Sequence, residues 1–181
     1  MYSESCLMNV PPPIYPRVTE AVERDRIDEI IPGRLLITNW RGAADLAELK
    51  RLGVTHIAAV GSEFVENDEL EGILYWKKDI MDVEEHQATM RGSMRAGASF
   101  IQEALAGGGC CLVHCAAGCS RSATIVLAYL LLHGDGEQDL RSALVSVHGC
   151  RRAIWPNDGF MAALIALESE ERGRAVSLRG T

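Results

Sequence analysis

A chain of 181 residues, 48 % of them apolar, is long enough to bury one sizeable core and has the composition of an ordinary globular protein. Acidic residues outnumber basic ones by 25 to 18, and the net charge of −7 disfavours non-specific binding to nucleic acid or to anionic membranes, which needs a basic surface. The longest apolar run, Ala123 to Leu132, is too short to span a bilayer, and Met1 to Val10 has no basic start of the kind that opens a signal peptide. The expectation is a soluble protein of the cytosol or nucleus with no membrane insertion. Any phosphate that it binds must be met by a local positive potential.

Residues 1–26 read as a flexible, proline-rich tail, because Pro11-Pro12-Pro13 and Pro16 favour an extended polyproline conformation over packing. From Ile27 the pattern becomes regular. Leu35 to Thr38 reads as a short strand, Ala43 to Arg51 as a helix closed by Gly53, and Thr55 to Val60 as a buried strand. Ser62 to Glu71 is an acidic connection, and Ile73 to Ile80 is a further strand. The spacing of Met94, Ala98, Ile101 and Leu105 predicts a helix over Ser93 to Leu105, stopped by Gly107-Gly108-Gly109. Cys111 to His114 is an apolar strand, and a small-residue loop leads from it into a long apolar helix, Arg121 to His133. Gln138 to Val147 and Asp158 to Glu168 are two more helices, and residues 171–181 read as a frayed tail. Strands alternating with helices imply a single α/β domain with a central, mainly parallel sheet flanked by helices.

The chemistry is concentrated in His114-Cys115-Ala116-Ala117-Gly118-Cys119-Ser120-Arg121-Ser122. This segment runs from a strand into a helix, and the carboxyl end of a strand is where an open α/β sheet binds ligands. The small residues and Gly118 let the backbone curl so that its N–H groups converge on one anion. The following helix directs its positive end to the same point. Arg121, six positions after Cys115, offers a planar fork to two phosphate oxygens. A helix N-terminus and a nearby cation favour the thiolate, which makes Cys115 a nucleophile. Ser122 is placed to donate to that sulfur. A lone cysteine at a strand end is most often a small core residue, but here the spacing to Arg121 and Ser122 outweighs that reading. His114 either tunes the nucleophile or is a satisfied structural histidine. Among six cysteines there is no C-x-x-C pair for a zinc ribbon, so reduced thiols are expected and no metal or cofactor is implied. Cys110, Cys111 and Cys119 are either small packing residues or resolving thiols for an oxidised Cys115.

His114-Cys115 through Arg121-Ser122 resembles the H-C-x5-R-[ST] signature of protein tyrosine phosphatases, and the Ser120-Arg121-Ser122 ending is similar to its dual-specificity branch. Pro156-Asn157-Asp158-Gly159-Phe160 resembles a P-N-x-G-F segment late in that family's domain, and Ala43 to Val60 its early helix and strand. The resemblance covers about residues 27–170 and implies the phosphatase fold, with the catalytic domain of an atypical, single-domain dual-specificity member over that range. It implies phosphorylated proteins as substrates, with Ala116 to Arg121 binding the phosphate. It also bears on the proton donor that expulsion of an alkoxide requires. Taken alone, Asp79 and Asp82 both read as surface charges at a strand end. The resemblance selects Asp82, seven positions after Tyr75, and gives Asn157 a part in supporting the phosphate loop beside its plain role as a helix N-cap. Alternatives that keep the loop are a phosphoinositide, glycan or RNA 5′-phosphate as substrate, and a phosphoprotein-binding pseudophosphatase. A sulfur-transfer enzyme is disfavoured by Arg121, Ser122 and the matching aspartate.

Overall fold

A computed structural model describes residues 25–64, 69–134 and 139–179. The expected proline-rich tail lies, apart from Asp25 and Arg26, outside the described residues. In chain order the elements are β1 (Asp28–Ile31), β2 (Leu35–Asn39), α1 (Trp40–Ala43), α2 (Leu46–Arg51), β3 (His56–Val60), β4 (Leu74–Lys78), α3 (Gln87–Ala106), β5 (Cys111–Cys115), α4 (Arg121–His133), α5 (Leu140–Cys150) and α6 (Asp158–Arg179). The strands form one sheet in the order β1-β2-β5-β3-β4. β2, β5, β3 and β4 are mutually parallel, and β1 pairs antiparallel with β2 at one edge. The expected mainly parallel α/β sheet is therefore present, with an edge strand that Asp28 to Ile31 did not announce by any alternation.

Side chains alternate between the two faces of a strand, and the faces are covered very differently. Leu35, Ile37, Ala58, Val60, Cys111, Val113 and Cys115 point into a large core with Met90, Met94, Ile101, Ile125, Phe160 and Leu164, supplied by α3 to α6. Leu36, Ile57, Ala59 and Leu112 point the other way, into a smaller cluster with Leu49, Val54 and Phe64. Among the described residues, the short helices α1 and α2 and the turn Ser62–Phe64 lie on that side. The central strand β5 is buried along its whole length, which fixes the position of Cys115 at its carboxyl end.

Three elements differ from expectation for local reasons. The helix expected over Ala43 to Arg51 is two short ones, because Asn39 caps the first turn through Arg41 and Gly42 N–H, and the Asp45 carboxylate caps a new helix through Glu48 N–H at 3.1 Å. α3 starts a turn and a half earlier than Ser93, since Met90 extends the buried stripe backwards past a polar stretch. The last helix continues beyond Glu168 to Arg179, into the segment expected to fray. Arg95, on α3, binds it through Glu170 and Glu171 at 3.1 and 2.7 Å. Among the described residues no helix is long and apolar enough to cross a membrane.

Candidate active site

Cys115 ends β5 and Arg121 opens α4, and the five residues between them turn their carbonyl oxygens outward. Ala116 O accepts from Trp40 N–H at 3.3 Å, and Cys119 O from Trp155 N–H at 2.7 Å. Gly118 O accepts from Arg151 Nε at 2.8 Å. Ser120 O accepts from Thr124 N–H at 2.9 Å and from its hydroxyl at 2.8 Å. Ala117 O faces the Cys119 thiol at 3.2 Å. A loop whose carbonyls are all engaged on the outside presents its N–H groups to the inside, which is an anion nest. Gly118 N–H already points at Cys115 Sγ, 3.2 Å away, and Ser122 Oγ lies 3.2 Å from the same sulfur. Gly118 has φ +66°, and a Cβ there would come within 2.6 Å of Thr38 O and of the Arg151 guanidinium, so both the turn and the packing behind it demand glycine.

Ser120 occupies the N-cap of α4 without capping it. Its hydroxyl instead donates to Asp82 Oδ1 at 2.6 Å and accepts from Asn157 N–H at 3.2 Å. The first N–H groups of the helix are thereby left to the pocket. Arg121 is 6 % exposed, and one edge of its guanidinium is fixed: Nη1 donates to Glu63 at 3.0 Å and to Ile80 O at 3.2 Å. Its Nε is buried without a hydrogen-bond partner. A buried cationic donor in that state calls for an anionic acceptor, and it belongs to the edge of the fork that a phosphate can take bidentately.

Asp82 enters this site as a loop residue after β4. Asn157 Nδ2 donates to its Oδ1 at 2.9 Å, beside the Ser120 hydroxyl, while Oδ2 faces Arg121 Nε at 3.7 Å. One carboxylate oxygen is held by two hydrogen bonds, and the other is ion-paired with Arg121. Asp79 and Asp82 are both exposed, and the two aspartates differ in their contacts: Asp82 bonds Ser120 and Asn157. Asn157 Oδ1 also caps Phe160 N–H at 2.9 Å. Gly159 lets α6 approach the Glu84 backbone, where a Cβ would come within 2.8 Å of its carbonyl oxygen, which packs the end of the acid segment against the helix. His86 is half-buried, and its Nδ1 accepts from Met81 N–H at 3.2 Å.

His114 points away from the sulfur, to the other face of the sheet. Burial holds its imidazole well below the usual histidine range, at about 4, and the Arg121 guanidinium adds to that while Glu63 opposes it. Its Nδ1 has no hydrogen-bond partner, and its ring meets Phe64 edge-on at 4.8 Å. Burial also pushes up the thiols of Cys110 and Cys111, which suits packing residues and not resolving thiols.

Three residues of the site were not foreseen. Arg151, 2 % exposed, bridges Gly118 O to Asp28, with Nη1 2.7 Å from the Asp28 carboxylate. Glu63 holds Arg121. Asp28 and Arg151 stand 123 positions apart, and neither carries a local signal of its partner. Glu63 was one of five acidic residues in a single connection, with nothing to single it out.

A thiol seated in an anion nest between a parallel strand and a helix, with a buried arginine and a carboxylic acid converging on it, defines a cysteine-loop phosphatase. Residues 35–170 match the family model described as dual specificity phosphatase, catalytic domain, and the chain belongs to that family, within the protein tyrosine phosphatase superfamily. It is 36 % identical over 146 residues to dual specificity protein phosphatase 22 of Mus musculus, covering 80 % of this chain and 75 % of that one. It is 39 % identical over 153 residues to dual specificity protein phosphatase 26 of Bos taurus, covering 80 % and 68 %. Among solved structures it is similar to the human tyrosine phosphatase-like serine/threonine/tyrosine-interacting protein, with 30 % identity, a TM-score of 0.71 and 82 % and 99 % of the two chains covered. The chain is a protein phosphatase of the dual-specificity class.

Proposed function

We propose that Cys115 attacks the phosphorus of phosphotyrosine, phosphoserine or phosphothreonine in a protein and carries the phosphoryl group as a phosphocysteine. The observation that carries this reading is the seat of Cys115 Sγ, between Gly118 N–H and Ser122 Oγ, at the start of a helix opened by the buried Arg121, whose Nε has no hydrogen-bond partner and an ion pair to Asp82 at 3.7 Å. The phosphate oxygens take the loop N–H groups of Ala116 to Arg121 and the open edge of the Arg121 fork. The sulfur forms the S–P bond as the ester P–O bond breaks, and Asp82, protonated on Oδ2, gives its proton to the departing oxygen. In the second step the Asp82 carboxylate takes a proton from water. The resulting hydroxide displaces the sulfur, which leaves as a thiolate stabilised by the Ser122 hydroxyl.

Cys115→Ser tests the assignment. An alcohol in this seat is not ionised at neutral pH, so hydrolysis of p-nitrophenyl phosphate should fall to background. Orthovanadate or phosphate should still bind, since the nest and Arg121 remain. Turnover above a few per cent of the wild-type rate (roughly, by the arithmetic of rate and barrier) would remove Cys115 from the mechanism.

A further inference from the structure

The thinly covered face of the sheet carries a cavity of about 400 Å³. Its walls include Trp40, Ala44 and Leu46, around the junction of α1 and α2, and Tyr75 and Lys77 of β4. Trp40 and Leu46 are 50 % and 55 % exposed, so apolar surface stands open at its rim. The two polar side chains of β4 in this lining act as donors. An ammonium can only donate, and that of Lys77 is held 3.2 Å from Glu69 Oε1 and 5.4 Å from the centre of the Tyr75 ring. The Tyr75 hydroxyl accepts from Leu70 N–H at 3.3 Å, which leaves its own proton to be given. An occupant that suits this lining is apolar on its surface, rich in acceptors and poor in donors. A proline-rich strand has those properties, because each ring is apolar, each carbonyl accepts and no proline carries an N–H, and such strands dock on aromatic surfaces.

The chain itself supplies one. Pro11, Pro12, Pro13, Ile14, Tyr15 and Pro16 precede the first described residue, Asp25. Asp25 is packed against α1: its carboxylate accepts from Asn39 Nδ2 at 2.6 Å and pairs with Arg41 Nη1 at 3.7 Å, and a Cβ on Gly42 would come within 2.5 Å of its carbonyl oxygen. Trp40 and Ala43, on the same single turn of helix, line the cavity. The chain therefore joins the described fold within roughly 10–12 Å, one helix diameter, of the cavity. The residues between Pro16 and Asp25 can span up to ~30 Å when extended, so residues 11–16 reach the cavity with chain to spare. We propose that residues 11–16 cover this cavity within the same molecule, with the proline rings, Ile14 and Tyr15 on Trp40 and Leu46 and the backbone carbonyls on the Lys77 ammonium and the Tyr75 hydroxyl. The bound segment lies against the residue whose N–H holds Ala116 O of the phosphate loop.

The test replaces Tyr15 in the full chain by photoreactive p-benzoylphenylalanine, irradiates the protein and maps the crosslinks by tryptic digestion and mass spectrometry. Crosslinks within one molecule should land in residues 35–41 and 42–50, the tryptic peptides that hold Trp40, Ala44 and Leu46. Leu46→Glu, at an exposed position, should lower the crosslinked fraction roughly tenfold, the scale of losing one apolar contact of that size. Pro11→Ser, Pro12→Ser and Pro13→Ser together should lower it in the same sense. Tyr75→Phe should lower it about threefold, the scale of one neutral hydrogen bond. Circular dichroism of each variant shows that it is folded. No crosslink to these two peptides, crosslinks only between two copies of the chain, or a yield that Leu46→Glu leaves unchanged overturns the docking. A yield that Tyr75→Phe leaves unchanged overturns the contact with the carbonyls of the segment.

Discussion

The phosphate loop and the acid segment face each other across one pocket, but they are fastened by different means. The loop is gripped from behind by backbone and side-chain donors from Trp40 at the start of α1, from Thr124 in the first turn of α4 and from Arg151 and Trp155. The acid segment is held at its catalytic end through one oxygen of a partly exposed carboxylate, to Ser120 and Asn157. A site that must present unchanging N–H groups to a tetrahedral anion is best made stiff. A group that must deliver a proton to one molecule and take one from another is best held by contacts that can be exchanged. The comparison teaches that Ser120 is the joint between the two. It closes the loop with its backbone and docks the acid with its side chain.

The largest effect should come from the acid alone. Asp82→Asn keeps an oxygen for Ser120 and Asn157 and so preserves the docking while removing the proton. Hydrolysis of a phosphothreonine peptide should fall roughly 10²–10⁴-fold, the usual range for general acid catalysis. With p-nitrophenyl phosphate, whose leaving group needs little help, the loss should be much smaller. Asp79→Asn should be mild with both substrates. If Asp79→Asn does the damage, the acid segment has been assigned to the wrong aspartate.

The next effect probes the stiffness of the loop. Arg151→Met leaves the buried Asp28 carboxylate with only the largely exposed Arg26 guanidinium among the ion pairs described for it, which should cost about 2–3 kcal/mol of folding stability in urea titrations, less than the loss of a sole partner. The double variant Asp28→Leu with Arg151→Met removes both charges and should recover most of that stability. It should not recover activity, because Gly118 O still lacks the donor that turns it outward. Full activity in a stable double variant would mean that the loop holds its shape without being gripped, and the contrast with the acid segment would fail.

Glu63 sharpens the comparison from the side of the phosphate. It occupies Arg121 Nη1, while the Nε edge makes no hydrogen bond and faces Asp82 Oδ2 at 3.7 Å. Glu63→Ala should loosen the guanidinium and lower kcat/KM about tenfold, on the scale of a charge-assisted hydrogen bond in a partly exposed setting. Initial-rate kinetics with p-nitrophenyl phosphate would read it. A rise in kcat/KM would show instead that Glu63 competes with phosphate for Arg121.

How much of this was legible beforehand follows the same division. The stiff loop is local in sequence: strand, nest, arginine and helix occupy consecutive residues, so Cys115, Gly118, Arg121 and Ser122 could be read from spacing and small side chains. The helices with clear apolar periodicity were legible for the same reason, as was the parallel sheet. Asp82 could not be separated from Asp79 without a resemblance, because its partners Ser120 and Asn157 lie 38 and 75 positions away. Arg151 and Asp28 were invisible, since an ion pair built by the fold leaves no periodic trace in the chain. The division of Ala43 to Arg51 into two helices turned on the Asp45 cap, a single hydrogen bond that outweighs a continuous helical pattern.

The smallest effect concerns the face of β5 opposite to the sulfur. His114 alternates with Cys115, so the strand that delivers a nucleophile into the well-covered core delivers an imidazole to the thin side. Burial holds that imidazole neutral, with its ionisation lowered to about 4 from the ordinary 6.5. Between those values the unfolded chain binds a proton at this residue and the folded one does not, so stability rises with pH through that window and is lost as the pH falls below 6.5. The slope from this single group is at most about 1.4 kcal/mol per pH unit, and by pH 5.5 the loss should be on the order of 1 kcal/mol. Other groups titrate over the same range, so the measurement is a difference: urea unfolding of the wild-type protein and of His114→Leu at intervals from pH 7.5 to 5. The variant, with no proton to exclude, should gain on the wild type as the pH falls, and the gap should widen steadily below 6.5. Parallel curves for the two proteins would show that His114 takes up its proton in the folded state as readily as in the unfolded chain.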